Sequence, residues 1–285
     1  MCRVSRVAGF ALACLLVSAG CSKARFQTTP QEESQGTASG NPRCTGNYVE
    51  NIYRLTKLLF VVDTSGSNVY PTRNPGGSVC RLGEPGCVPA TDPSKDFRGG
   101  AISDFLGRYR HKTNFHWGLA SFSGTTARAY LNSGDLMSPI FTASPNQMFY
   151  GLDRLFNQRD AGATPYRAAF EIASRAIAAD PDRTSDAKPN YFVILLTDGF
   201  PTDYLDGKGG FRASDLKNDV SGLLAVAPGQ VNVSTIFYGQ VNDPSAIKLL
   251  QEIAQMGGGQ FASVNDPNSG FRIDDVIPRT TTSCQ

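Results

Sequence analysis

The sequence predicts an α/β domain: a doubly wound, mostly parallel central sheet with one antiparallel edge strand and helices on both faces. Three observations predict it. Residues 58–62 and 192–196 are continuous apolar runs, which suit strands buried on both faces rather than half-wet ones. From Lys57 onward such runs alternate with stretches of helical apolar spacing, the pattern of strand–helix–strand crossovers. Residues 115–122 and 127–131 are two strand-like segments joined by a Gly-containing turn, so a short hairpin supplies the antiparallel edge. No internal repeat is visible.

The remaining elements follow in order. Residues 97–109 carry Ile102, Phe105, Leu106 and Tyr109 on one helical stripe, and 146–156 do so through Phe149, Leu152, Leu155 and Phe156. A helix opens after Thr164 with Pro165 in its first turn, where a missing N–H costs nothing, and buries Ala169, Ile172, Ala173 and Ala176. Residues 215–226 read as a helix and 231–238 as a strand. Asp243-Pro244 starts another helix, with Ile247, Leu250, Ile253 and Ala254 as its stripe and Gly257 as its end. Residues 260–264 read as an edge strand and 271–277 as a short closing helix.

The first residues read as an export signal. Arg3 and Arg6 precede an apolar core at 10–17, far shorter than the ~20 residues of a spanning helix. Ser18-Ala19-Gly20-Cys21 resembles a bacterial lipoprotein cleavage site. That resemblance implies a signal peptide at 1–20, a lipid on Cys21 and a place in the bacterial cell envelope. Ser22 is not the aspartate of the enterobacterial retention signal, so the outer membrane is the expected destination. Ser18 stands where such sites carry an aliphatic residue, and ordinary secretory cleavage nearby is the alternative. Residues 21–43 are rich in Gln, Glu, Ser, Thr and Gly and read as a flexible tether, reaching several tens of Å at roughly 3.3 Å per residue. Residues 44–285 then form a single domain, expected to be monomeric.

The chain has 27 basic and 25 acidic residues; cleavage removes Arg3 and Arg6 and leaves it formally neutral. Neither that balance nor any basic run in the sequence points to nucleic acid. Cys2 and Cys14 leave with the signal. Cys44, Cys80, Cys87 and Cys284 remain, an even set that an oxidising compartment joins in two disulfides, with three possible pairings. Cys80–Cys87 would close a small loop and Cys44–Cys284 would tie the two ends of the domain. Zinc is the competing reading, but C-x2-C spacing and a nearby histidine are both missing.

The strand at 58–62 runs into Asp63-Thr64-Ser65-Gly66-Ser67, which sets a carboxylate and two hydroxyls on one loop. Hard oxygens so close together suit a small divalent cation such as magnesium; manganese and calcium accept the same donors. Two later segments sharpen the signal: Gly162-Ala163-Thr164-Pro165 at a helix start, and the strand ending Thr197-Asp198-Gly199. In an open α/β sheet, ligands sit beyond the carboxyl ends of the strands, where the strand order reverses. Asp63 and Asp198 both follow apolar strands and reach that edge.

Together Asp63, Ser65, Ser67, Thr164 and Asp198 resemble the metal-ion-dependent adhesion site of von Willebrand factor type A domains, in residue type and order, with the likeness running from Leu58 to the C-terminus. The resemblance implies Ser65 and Ser67 as direct ligands and Thr164 as a ligand in the binding-competent state. Asp63 and Asp198 would bind directly or through water. It further implies a free coordination place, filled by an Asp or Glu carboxylate of a protein partner, and hence adhesion or complex assembly with no catalysis.

Other readings stay beside it. Phe60-Val-Val-Asp-Thr-Ser-Gly-Ser67 superficially resembles the Asp-Thr-Gly-Ser stretch of pepsin-like aspartic proteases, with glycine and serine transposed and no second Asp-Thr-Gly. A phosphatase with an aspartate nucleophile is similar, but Ser65 stands where its second acid would be. A structural module with a vestigial site is a third. Tyr70, Phe200 and Asp203 flank the site and are read as packing its loops; His111 and His116 are read as structural, and Asn232-Val-Ser234 as an incidental glycosylation pattern. The insertion at 68–95, rich in Pro and Gly and holding Cys80 and Cys87, is expected to frame the site as a specificity loop.

Overall fold

The computed structural model describes residues 55–277, apart from 74–77, 133, 187, 208–209, 240–242 and 266–270. The signal peptide, the tether, Cys21 and the Cys44–Cys284 pairing lie outside the described residues.

The predicted fold class is the observed one. The strands are β1 (Thr56–Asp63), β2 (Thr72–Arg73), β3 (Cys87–Val88), β4 (Phe115–Ser123), β5 (Thr126–Ala129), β6 (Asn190–Thr197), β7 (Val231–Tyr238) and β8 (Gly258–Val264). Six of them form one sheet in the order β5-β4-β1-β6-β7-β8, while β2 and β3 pair separately as a small ribbon. β1 lies between two parallel neighbours, with Phe60 opposite Leu119 on β4 and opposite Ile194 on β6. The hairpin partner β5 runs antiparallel at the edge, from Ala120↔Ala129 to Ser123↔Thr126. At the other edge β8 runs parallel to β7.

The helices are α1 (Asp96–Tyr109), α2 (Pro145–Asn157), α3 (Tyr166–Ala178), α4 (Ala213–Ala225) and α5 (Pro244–Met256). Strand alternation divides each apolar run between two cores. Leu59 and Val61 pack with Val193, Leu195 and the apolar faces of α3, α4 and α5. Leu58, Phe60 and Val62 pack with Ile194, Leu196 and the faces of α1 and α2. Each such side chain, taken wholly out of water, contributes about 1.5–3 kcal/mol. No described helix is long and apolar enough to cross a membrane.

Helix starts follow local chemistry. Ser144 accepts from the Gln147 N–H at 3.3 Å, and Asp243 accepts from Ser245 and Ala246, each with a proline at the next position. Three expectations need correction. Pro165 is the N-cap of α3, one residue outside the first turn, with extended backbone and no capping side chain. The cap comes from elsewhere: Asp203 accepts from the Arg167 N–H at 2.8 Å. The buried face of α2 is Met148, Gly151, Leu152 and Leu155, so Phe156 turns outward over α1, where Gly99 makes room for its ring. The closing helix at 271–277 is a single 3-10 turn, Ile273–Val276.

Candidate metal centre

β1 delivers Asp63 to the carboxyl edge fully buried. Ser65 is extended, and the 3-10 turn Gly66–Asn68 then bends the chain back. Two hydroxyls at alternate positions are thereby brought face to face: Ser65 Oγ and Ser67 Oγ are 3.0 Å apart. Ser67 Oγ donates to Asp198 Oδ1 at 3.0 Å. The Asp63 carboxylate accepts the Ser65 N–H on Oδ1 and the Thr197 hydroxyl on Oδ2, both at 2.7 Å. Four of the five expected residues thus share one hydrogen-bonded cluster. Thr164 sits on the third loop, tied by its N–H to Thr202 Oγ1 at 3.2 Å and by its carbonyl to the Thr202 N–H at 3.0 Å. Its hydroxyl lies beside Gly199, where an added Cβ would stand 3.8 Å from Oγ1. All five come to one edge, but Thr164 joins the others through no direct hydrogen bond among the described residues.

The three loops are laced together by main-chain bonds. Thr64 O accepts from Ala161, and the Gly66 N–H donates to Gly162 O at 2.9 Å. Gly162 has φ +85°, and a Cβ there would approach the Gly124 main chain to 2.8 Å, so glycine is required twice over. Underneath lies Arg98, wholly buried. Its guanidinium donates to Asp63 O at 2.6 Å, to the Asp92 carboxylate at 2.9 Å, to Asp92 O at 2.9 Å and to Asp160 Oδ2 at 2.8 Å. Asp92 also accepts from the Phe97 and Arg98 N–H groups and so caps α1. One rigid fork therefore links the β1 loop, the end of the insertion and the loop before Thr164.

Sequence reading missed Thr197, Arg98, Asp92 and Thr91. Thr197 carried a usable signal, since it is the hydroxyl residue immediately before Asp198. The other three sit where the chain rejoins the fold after the insertion, and only the tertiary structure brings them under the site.

Electrostatics make the cluster unusual. Burial, and then the charge of Asp198, push the Asp63 carboxyl up to about 7, against the hydrogen bonds from Ser65 and Thr197. Burial also raises Asp198, opposed by Thr91, Ser67 and Arg98. Among the described residues neither acid has a lysine or arginine within ion-pair distance. Among the described residues Asp198 Oδ2 is buried without a hydrogen-bond partner. A buried carboxylate oxygen left bare costs free energy that a cation can recover. The donor set, two carboxylates and three hydroxyls, fits a hard divalent ion. No described group of three or more His, Cys, Asp or Glu side chains is placed to hold a metal, so the hydroxyls are indispensable to any such site.

The flanking residues behave as expected. Phe200 packs on Phe211 with ring centres 5.0 Å apart, and Tyr70 accepts a 2.7 Å bond from Arg159. His116 faces Asp182 at 4.0 Å, far from the cluster in sequence and on the opposite edge of the sheet. Ser234 of the glycosylation pattern is buried in β7 and donates to Val276 O. Cys80 and Cys87 form the expected disulfide, with Cα atoms 5.9 Å apart. The insertion is also anchored to the site loop: the Thr91 and Asp92 N–H groups donate to Ser67 O and Asn68 O.

No family model matches the chain, and no curated protein matches it. Solved structures of similar fold include a von Willebrand factor type A protein from Catenulispora acidiphila, 16% identical with a TM-score of 0.49 over 74% of this chain and 39% of that one. The PilB minor pilin from Streptococcus sanguinis is 15% identical, with a TM-score of 0.47 over 75% of this chain and 58% of its own. The manganese-loaded TRAP protein of Plasmodium vivax is 18% identical, with a TM-score of 0.43 over 70% of this chain and 63% of its own. The chain spans less than two thirds of the length of each of these structures.

Proposed function

We propose that the protein is an exported, envelope-anchored binding module of the von Willebrand factor type A kind, without catalytic activity. It holds one divalent cation, magnesium or manganese, on Asp63, Ser65, Ser67, Thr164 and Asp198. A partner protein presents an Asp or Glu carboxylate to that cation. The observation that carries the reading is the bare, buried Asp198 Oδ2 at the end of the Asp63–Ser65–Ser67–Asp198 cluster. Neutral hydroxyls would leave the ion only partly neutralised and receptive to one more anionic oxygen. The aspartic-protease alternative needs an almost all-β chain, whereas among the described residues five helices flank this mostly parallel sheet.

Calorimetric titration of magnesium and of manganese into the full chain tests the reading. Asp63→Ala and Thr164→Ala should each abolish binding while the sheet stays folded by circular dichroism. Undiminished binding in both variants would reject it.

A further inference from the structure

Arg128, Arg154 and Arg159 are dispersed in the sequence and gathered in space. They line a groove of about 740 Å³ between β5, the last turns of α2 and the loop leading to Gly162. The volume is in the range of specific ligand sites. Among the described residues no acidic side chain lines it. Among the described residues none of the three arginines has a carboxylate within ion-pair distance. Arg154 donates to Tyr130 O at 2.8 Å and Arg159 to Tyr70 Oη at 2.7 Å, while Arg128 stands exposed on the edge strand. Each guanidinium has five donor hydrogens, so most remain for a ligand.

The groove also borders the loop that carries Thr164. Gly124 and Ala161 line it, and the Gly124 N–H donates to Ala163 O at 2.9 Å, one residue before Thr164. Resting on the reading above, we propose that this groove seats an acidic segment of the protein partner. One carboxylate of that segment reaches the cation, and neighbouring Asp or Glu residues pair with Arg128, Arg154 and Arg159. Planar guanidinium groups match carboxylates in bidentate geometry. Leu136, exposed on the groove wall, gives an intervening apolar side chain a contact, which suits a polypeptide better than a uniformly charged polymer.

The test uses the full chain and a fluorescein-labelled peptide of alternating Glu and Gly, followed by anisotropy in magnesium and in chelator. The double variant Arg128→Gln/Arg159→Gln should weaken binding about tenfold in both conditions, with an unchanged circular dichroism spectrum. Asp198→Ala should weaken it only in magnesium. Wild-type affinity in the arginine variant overturns the proposal. If the arginine variant loses the peptide while chelator and Asp198→Ala change nothing, the groove stands and the cation reading falls. Heparin fragments that bind more tightly than the peptide and are lost in the same variant would overturn the assignment to a peptide.

Discussion

Ser67 Oγ donates to Asp198 Oδ1 at 3.0 Å, across 131 positions of sequence. That bond joins the end of β1 to the end of β6, where the order of strands reverses, and it leaves the second oxygen of Asp198 bare. A cation placed there would be bound by residues that already hold one another in position, which lowers the entropy lost on binding.

Asp198→Ala removes the bare oxygen and the charge that raises the Asp63 proton affinity. Magnesium affinity should fall at least about tenfold. In chelator the variant should be no less stable than the wild type near pH 7, because one of two repelling buried acids is gone. Calorimetry and thermal melts check both halves.

Asp63 holds its proton more tightly in the folded chain than in the unfolded one. Between the ordinary carboxylate range and about 7 the folded state therefore binds the extra proton, and stability from this group falls as pH rises through that window. A bound cation favours the ionised form and opposes the fall. The gain in melting temperature from magnesium over chelator should be small at about pH 5 and grow towards about pH 8. Melting curves showing a gain independent of pH would contradict this.

Arg98→Met should destabilise the fold by about 3–5 kcal/mol, since Asp92 and Asp160 would remain buried without their partner. Arg98→Lys should recover only part of that, because an ammonium cannot span the same acceptors. Urea unfolding midpoints of the two variants measure the difference.

Lys57 offers a control at the opposite edge of the sheet. It is buried at the start of β1, with Nζ 2.6 Å from both Asp180 and Asp182, and Tyr191 Oη donates to Asp180 at 2.6 Å. Lys57→Ala should cost about 3–5 kcal/mol of stability. Magnesium affinity of the folded variant, measured by calorimetry below its melting range, should stay at the wild-type level.

The apolar runs at 58–62 and 192–196 made the fold legible, because strands buried on both faces leave little choice of architecture. The site loops were legible for a related reason: hydroxyls and acids directly after such strands can only reach the sheet edge. Helix faces were harder. The apolar spacing of 146–156 placed Leu152 and Leu155 correctly but took Phe156 for the same face and passed over Met148, because only the missing side chain of Gly99 gives the Phe156 ring its separate seat on α1. Arg98 and the arginine groove were invisible, since each depends on side chains that meet only after three loops have docked. The three arginines formed no run in the sequence.

The strand order has a kinetic consequence. β1 receives β4 on one side and β6 on the other, so the last oxygen donor arrives only when a segment more than a hundred positions downstream has docked. Such distant pairing is slow, and the cation pocket would be among the final features to form. Magnesium should therefore leave the refolding rate nearly unchanged and act almost wholly by retarding unfolding.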